Sequence, residues 1–127
     1  MASIIVTSPT GEENHYPLPK RPIVIGRGEQ VPVQVLDDHV STKHLQIRFD
    51  PSDGCYHALD MKSKNGTMVN NRSITGDITL ADGDMIRIGD STITFYEREF
   101  ADKTDAFKHH KQAGQRDRQT FTFGDQG

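Results

Sequence analysis

The feature that most constrains this chain is its punctuation. Short apolar runs are cut by turn chemistry roughly every eight to twelve residues, and none of them carries a helical period. Ser3-Ile4-Ile5-Val6-Thr7 is β-branched and closes at Ser8-Pro9-Thr10-Gly11. His15-Tyr16-Pro17-Leu18 is weaker, with Pro17 marking an edge. Pro22-Ile23-Val24-Ile25 stops at Gly26-Arg27-Gly28, and Val33-Gln34-Val35-Leu36 stops at Asp37-Asp38. From His44 to Phe49 the pattern alternates, with Leu45, Ile47 and Phe49 on one face. Pro51-Ser52-Asp53-Gly54 is a turn, and Tyr56 to Asp60 resumes a strand. Asn65-Gly66 is the strongest short hairpin signal and suits a type I′ turn; Asn70-Asn71 is a second turn with Asn71 in the left-handed region. Ile78 to Leu80, Met85 to Ile88 and Thr92 to Tyr96 complete the set. About eleven short strands without a helix predict an all-β sandwich or barrel.

The chain changes character after Arg98. From Glu99 to Gly127 there is no Val, Ile, Leu or Met, and the four phenylalanines are scattered among polar residues. Such a segment buries too little to order itself. The reading is therefore a folded domain over 1–98 and a polar tail over 99–127, disordered or loosely docked.

Charge and composition exclude several classes. A net charge of -3 lacks the basic footprint of a sequence-independent nucleic-acid binder, and an absence of Trp leaves little for base stacking. The single Cys55 rules out an internal disulfide and a multi-cysteine zinc site; in its alternating run it reads as a small buried hydrophobe. No signal-peptide pattern opens the chain and no apolar run approaches about 18 residues, so a cytoplasmic protein is expected, nuclear if the source is eukaryotic.

What remains is chemistry concentrated between the strands. Ser41-Thr42-Lys43-His44, Ser63-Lys64-Asn65-Gly66-Thr67 and Val69-Asn70 gather hydroxyls, ammoniums and amides in connecting segments. A rigid scaffold presenting donors on loops suits an anion.

Gly26-Arg27, Ser41-x-x-His44, Asn65-Gly66 and Asn70, in that order, followed by Leu80-Ala81-Asp82-Gly83-Asp84 and Ile88-Gly89, resemble the forkhead-associated (FHA) domain over roughly residues 3 to 97. The resemblance implies an eleven-stranded β-sandwich of SMAD/FHA type that binds phosphothreonine peptides through loops at one end. It implies that Arg27 contacts the phosphate and that Ser41 donates its hydroxyl to it. A guanidinium suits that task, being always charged, planar and able to give paired bonds to phosphate oxygens. Asn65 would bond the peptide main chain, with Thr42 beside it. His44, Gly26, Gly66 and Asn70 would support the site. Lys43 stands where arginine is frequent, keeping the charge without the fork. Lys64 replaces a common Ser or Thr; touching the phosphate as a point charge and swinging into solvent are equally open. Specificity at the third residue after the phosphothreonine would be read in Asp37-Asp38-His39-Val40, where His39 favours an acid when protonated and the aspartates repel one.

Other readings fall away. Gly26-Arg27-Gly28 lacks a third glycine and a following helix, so it is no dinucleotide loop. Ser41 and His44 have no orienting acid or nucleophile elbow, so no enzyme is expected. No cofactor, metal or membrane is implied; His109-His110 reads as solvated. The expected partner is a threonine-phosphorylated protein, which implies an upstream Ser/Thr kinase. The alternative is a phospho-independent assembly module, with self-association through the tail. There Thr122 precedes an acid by three residues in Thr122-Phe123-Gly124-Asp125 and is a candidate phosphosite.

Overall fold

A computed structural model describes residues 2–97, 106–108 and 110–111. Eleven strands form it: β1 (Ser3–Thr7), β2 (Glu13–Pro17), β3 (Ile23–Gly26), β4 (Val33–Gln34), β5 (Leu45–Asp50), β6 (Cys55–Asp60), β7 (Thr67–Val69), β8 (Arg72–Ser73), β9 (Asp77–Thr79), β10 (Met85–Ile88) and β11 (Ser91–Tyr96). They make a six-stranded sheet ordered β2-β1-β11-β10-β7-β8 and a five-stranded sheet ordered β4-β3-β5-β6-β9. The expected β-sandwich is the observed one.

The alternation seen in the sequence is the inward-outward alternation of the strands. Ile4 and Val6 of β1, Ile86 and Ile88 of β10, and Ile93 and Phe95 of β11 face Ile23, Ile25, Leu45, Ile47 and Ala58 of the other sheet in one core. Tyr56 packs edge-on to Phe49 and tilted against Phe95, at centroid distances of 5.2 and 5.7 Å, while its hydroxyl donates to the Leu18 carbonyl at 3.2 Å. That disposes of the one polar atom such a ring brings inside.

Two local expectations change. Asn65-Gly66 does not close a hairpin, because β6 belongs to one sheet and β7 to the other; the segment crosses between them. The tight two-residue hairpin is β7–β8, where Val69 pairs with Arg72 and both Asn70 and Asn71 have positive φ, 50° and 68°, as a type I′ turn requires. Cys55 is half-buried, its thiol donating to the Asp53 carbonyl.

The tail also contributes. Residues 106–108 and 110–111 are helical. Ala106 is fully buried with Ile5 and Tyr96, Phe107 packs beside them, and His110 links the Tyr96 hydroxyl (2.7 Å) to Glu13 (3.0 Å). The physical reason lies in β1. Its run Ile4-Ile5-Val6 is apolar on both faces, so Ile5 points away from the core and needs a cover. The rest of the segment, with Thr122, lies outside the described residues. Among the described residues no helix is long and apolar enough to cross a membrane.

Candidate functional site

The connections after β3, β4, β6 and β10 gather at one end of the sandwich, tied by backbone and side-chain hydrogen bonds. Arg27 N donates to Ser41 O at 2.9 Å and Gly28 N to Thr42 O at 3.1 Å, so the segment after β3 lies flush on residues 41–42. Only glycine permits this at position 26: a Cβ there would sit 2.1 Å from the Thr42 carbonyl oxygen. Arg27 and Ser41, far apart in sequence, become neighbours for that reason.

His44 fixes the second junction. Fully buried, its ring accepts the Ser41 N–H at Nδ1 (3.0 Å) and donates from Nε2 to the Gly66 carbonyl (2.8 Å). This pairing sets the tautomer. It also leaves no lone pair for a ligand or a base. Gly66 has φ +83°, which turns its carbonyl toward the ring.

The third junction is a crossed pair. Lys64 N donates to Ser41 Oγ at 3.0 Å, and Asn65 Nδ2 donates to the His39 carbonyl at 2.9 Å. Among the described residues the Ser41 hydroxyl proton and Asn65 Oδ1 have no partner, so one donor and one acceptor remain for a ligand. The Arg27 side chain is 47 % exposed and, among the described residues, is paired only with the 99 % exposed Asp38, at 3.8 Å. Such a surface pair is worth about 0–1 kcal/mol and yields readily to a better anion. Lys43, Lys64 and Thr42 are exposed on the same segments. His39 is exposed, its ring 3.0 Å from Asp90.

Asn70 is not brought to this cluster. At the other end of β7 it accepts the Met85 N–H at 3.0 Å and donates to Asp84 at 2.9 Å. It ties the β7–β8 turn to the approach to β10.

Two carboxylates matter more than their sequence context suggested. Asp37, expected in a turn facing the peptide, is instead 5 % exposed. It accepts the N–H groups of His39 and Asp90 and the Ser91 hydroxyl, each at 2.8 Å. Burial alone would push this carboxyl up; the donors and His39 outweigh it and hold it below the ordinary 3.8. It cannot repel a ligand from there. The missed signal was parity, since 33, 35 and 37 alternate inward. Gly89, at φ +58°, leaves the room Asp37 needs: a Cβ would stand 2.9 Å from its carboxylate. Asp60 likewise accepts the Ser63 N–H and hydroxyl and the Thr67 hydroxyl, knotting the crossover from β6 to β7. Burial raises its carboxyl, but these donors bring it below its usual value.

Asp37, His39 and Asp90 place ligand atoms within 4.8 Å of one another, as do Asp50, Asp53 and His57. The hydrogen bonds above already use Asp37, and His57 is held by Asp53 and Asp77, each at 2.7 Å. Neither group reads as a metal centre. What the loop donors suit is capture of an anion.

Fold and loops together define a β-sandwich with a polar recognition end. The FHA domain model matches residues 23–89, more than half of the chain, and the chain belongs to that family. The FHA domain-containing protein FhaA of Mycobacterium tuberculosis is 37 % identical over 91 residues, covering 72 % of this chain and 17 % of FhaA. FhaB of Mycolicibacterium smegmatis is 28 % identical over 90 residues, 71 % of this chain and 57 % of its own. The chain thus spans from about a sixth to just over half of these relatives. Among solved structures, the FhaA FHA domain complexed with the intracellular domain of Rv3910 is 35 % identical with a TM-score of 0.66, covering 75 % of this chain and 99 % of that one. A structure from an analysis of phosphothreonine-dependent FHA domain interactions is 32 % identical, TM-score 0.66, covering 78 % and 98 %.

Proposed function

We propose that this chain is a non-catalytic module that binds threonine-phosphorylated protein segments. One observation carries the reading: Arg27, Ser41 and Asn65 converge on one end of the sandwich, where among the described residues a hydroxyl proton and an amide oxygen are unpartnered and the guanidinium meets only an exposed Asp38 at 3.8 Å. The relatives support it, one solved in a phosphothreonine-dependent context and one with a protein partner. Arg27 and Ser41 hold the phosphate, with Lys43 and Lys64 adding positive charge. Asn65 fixes the peptide backbone, beside Thr42 and His39. A phosphate outcompetes Asp38 for Arg27 because it brings more charge and more acceptor oxygens than a carboxylate. The partner is a product of a Ser/Thr kinase.

The test is titration with degenerate phosphothreonine, phosphoserine and unphosphorylated peptide libraries, repeated with Arg27→Ala. Losing paired charge-assisted bonds costs about 2–4 kcal/mol, a loss of roughly 30- to 1000-fold. An interaction unchanged by the substitution would instead belong to an assembly module working through another face.

A further inference from the structure

Beside the loop cluster, the sandwich is open between its edge strands β2 and β4. A cleft of about 560 Å³ lies there. Val6 and Val35 are buried in its wall, Tyr16 is half-buried, and Leu36 stands 79 % exposed although it is apolar. The exposed carboxylates along it are Glu12 from the β1–β2 turn, Asp38 and Asp90, and His39 is the one basic side chain in the lining. Asp90 faces both His39, at 3.0 Å, and Arg87, at 4.0 Å, so Glu12 and a freed Asp38 carry most of the negative rim. An apolar wall with an acidic rim fits a ligand that is apolar and cationic together.

Asp38 couples the cleft to the phosphate grip. Its carboxylate faces Arg27 at 3.8 Å. A phosphate arriving on Arg27 displaces it and repels it, so the cleft gains a free negative charge when the phosphate docks. His39 gives continuity, because its carbonyl is bonded by Asn65 while its ring lines the cleft. A peptide held at Asn65 therefore lies beside a residue that also lines the cleft.

We propose that this cleft is a second docking surface for the phosphorylated partner. It takes a segment flanking the phosphothreonine that seats an apolar side chain on Leu36 and Val35 and sets Lys or Arg against Glu12, Asp38 and Asp90. The inference rests on the phosphothreonine reading above.

The experiment is fluorescence anisotropy on the full chain with three phosphothreonine peptides. One is short, one is extended on both sides by Leu-Arg flanks, and one is extended by Ser-Glu flanks. Glu12→Lys and Leu36→Ser are made in parallel; both side chains are exposed and stand outside the phosphate grip. The Leu-Arg peptide is expected to bind about tenfold tighter than the Ser-Glu peptide. That gap should close in either variant while the short peptide binds as before. Equal affinity for both flanks, with the short peptide bound, would overturn this inference alone. A gap that persists in both variants would place the flank elsewhere and overturn it too. A flank preference seen only after removal of residues 112–127 would assign the cleft to the chain's own tail. Failure of the short phosphopeptide to bind at all would overturn the phosphothreonine reading and this inference with it.

Discussion

Asn65 and Asn70 bracket β7, one before its first residue and one after its last, and they do opposite things. Asn70 is saturated: its amide donates to Asp84, its oxygen accepts Met85 N, and its own N–H donates to the Met85 carbonyl at 2.8 Å. Asn65 is half used, giving its amide to the His39 carbonyl while its oxygen, at the surface, has no partner among the described residues. The same side chain is therefore a brace at one end of the strand and, in the proposed function, a recognition group at the other. Residue type says nothing about which; the completeness of its hydrogen bonding does.

The largest effect expected along this contrast comes from the brace that shapes the recognition end itself. Gly26→Ala places a methyl 2.1 Å from the Thr42 carbonyl. The backbone must part, at a cost of about 3 kcal/mol or more, and Arg27 leaves Ser41. Denaturant melts should show the lost stability, and phosphopeptide binding should fall even at temperatures where the variant stays folded.

Next comes a dissociation between the two asparagines. Asn70→Ala strips partners from Asp84 and Met85 N and should cost about 1–3 kcal/mol of stability with phosphopeptide affinity unchanged in the folded protein. Asn65→Ala should do the reverse, lowering affinity by about tenfold while the melting temperature moves by only a few degrees. Equal effects of both on stability, with none on binding, would dissolve the distinction.

The smallest effect concerns a brace remote from the site. His57 on β6 is held between Asp53 and Asp77, and Asp77 also takes Arg48 at 2.6 Å. Burial pulls the imidazole pKa down, but the two carboxylates overcome it and raise the value above 6.5. A raised folded-state value contributes stability that is full below 6.5 and is lost as pH rises through the folded value. The stability gap between the natural chain and His57→Gln should therefore be larger at about pH 5.5 than at about pH 9, with peptide affinity indifferent to the substitution.

Much of this architecture was legible before any coordinates. Alternation over Leu45 to Phe49 and Thr92 to Tyr96 marks strands because one face of each is buried, and Ser41-x-x-His44 marks a loop junction. What stayed hidden depended on distant partners. Asn65-Gly66 looks like a hairpin locally, but the carboxylate of Asp60 redirects the chain to the other sheet through Ser63 and Thr67. Asp37 looks like surface until β11 supplies Ser91 to its carboxylate. The two-residue β8 carries no apolar signal, since both its residues are exposed. Ala106 and Phe107 look like solvated residues of a polar segment until Ile5 is known to face outward.

The His44 bridge has a mechanical consequence. His44 leads into β5 of the five-stranded sheet, whereas the Gly66 carbonyl it holds leads into β7 of the six-stranded one, so this hydrogen bond is a rivet across the seam. A peptide gripped by Arg27 on one side and Asn65 on the other would lie over that seam as a second rivet. Prying the sheets apart would then require the ligand to leave first. The loaded domain should unfold more slowly and withstand more pulling force than the empty one, so a tethered partner would strengthen the very joint it hangs from.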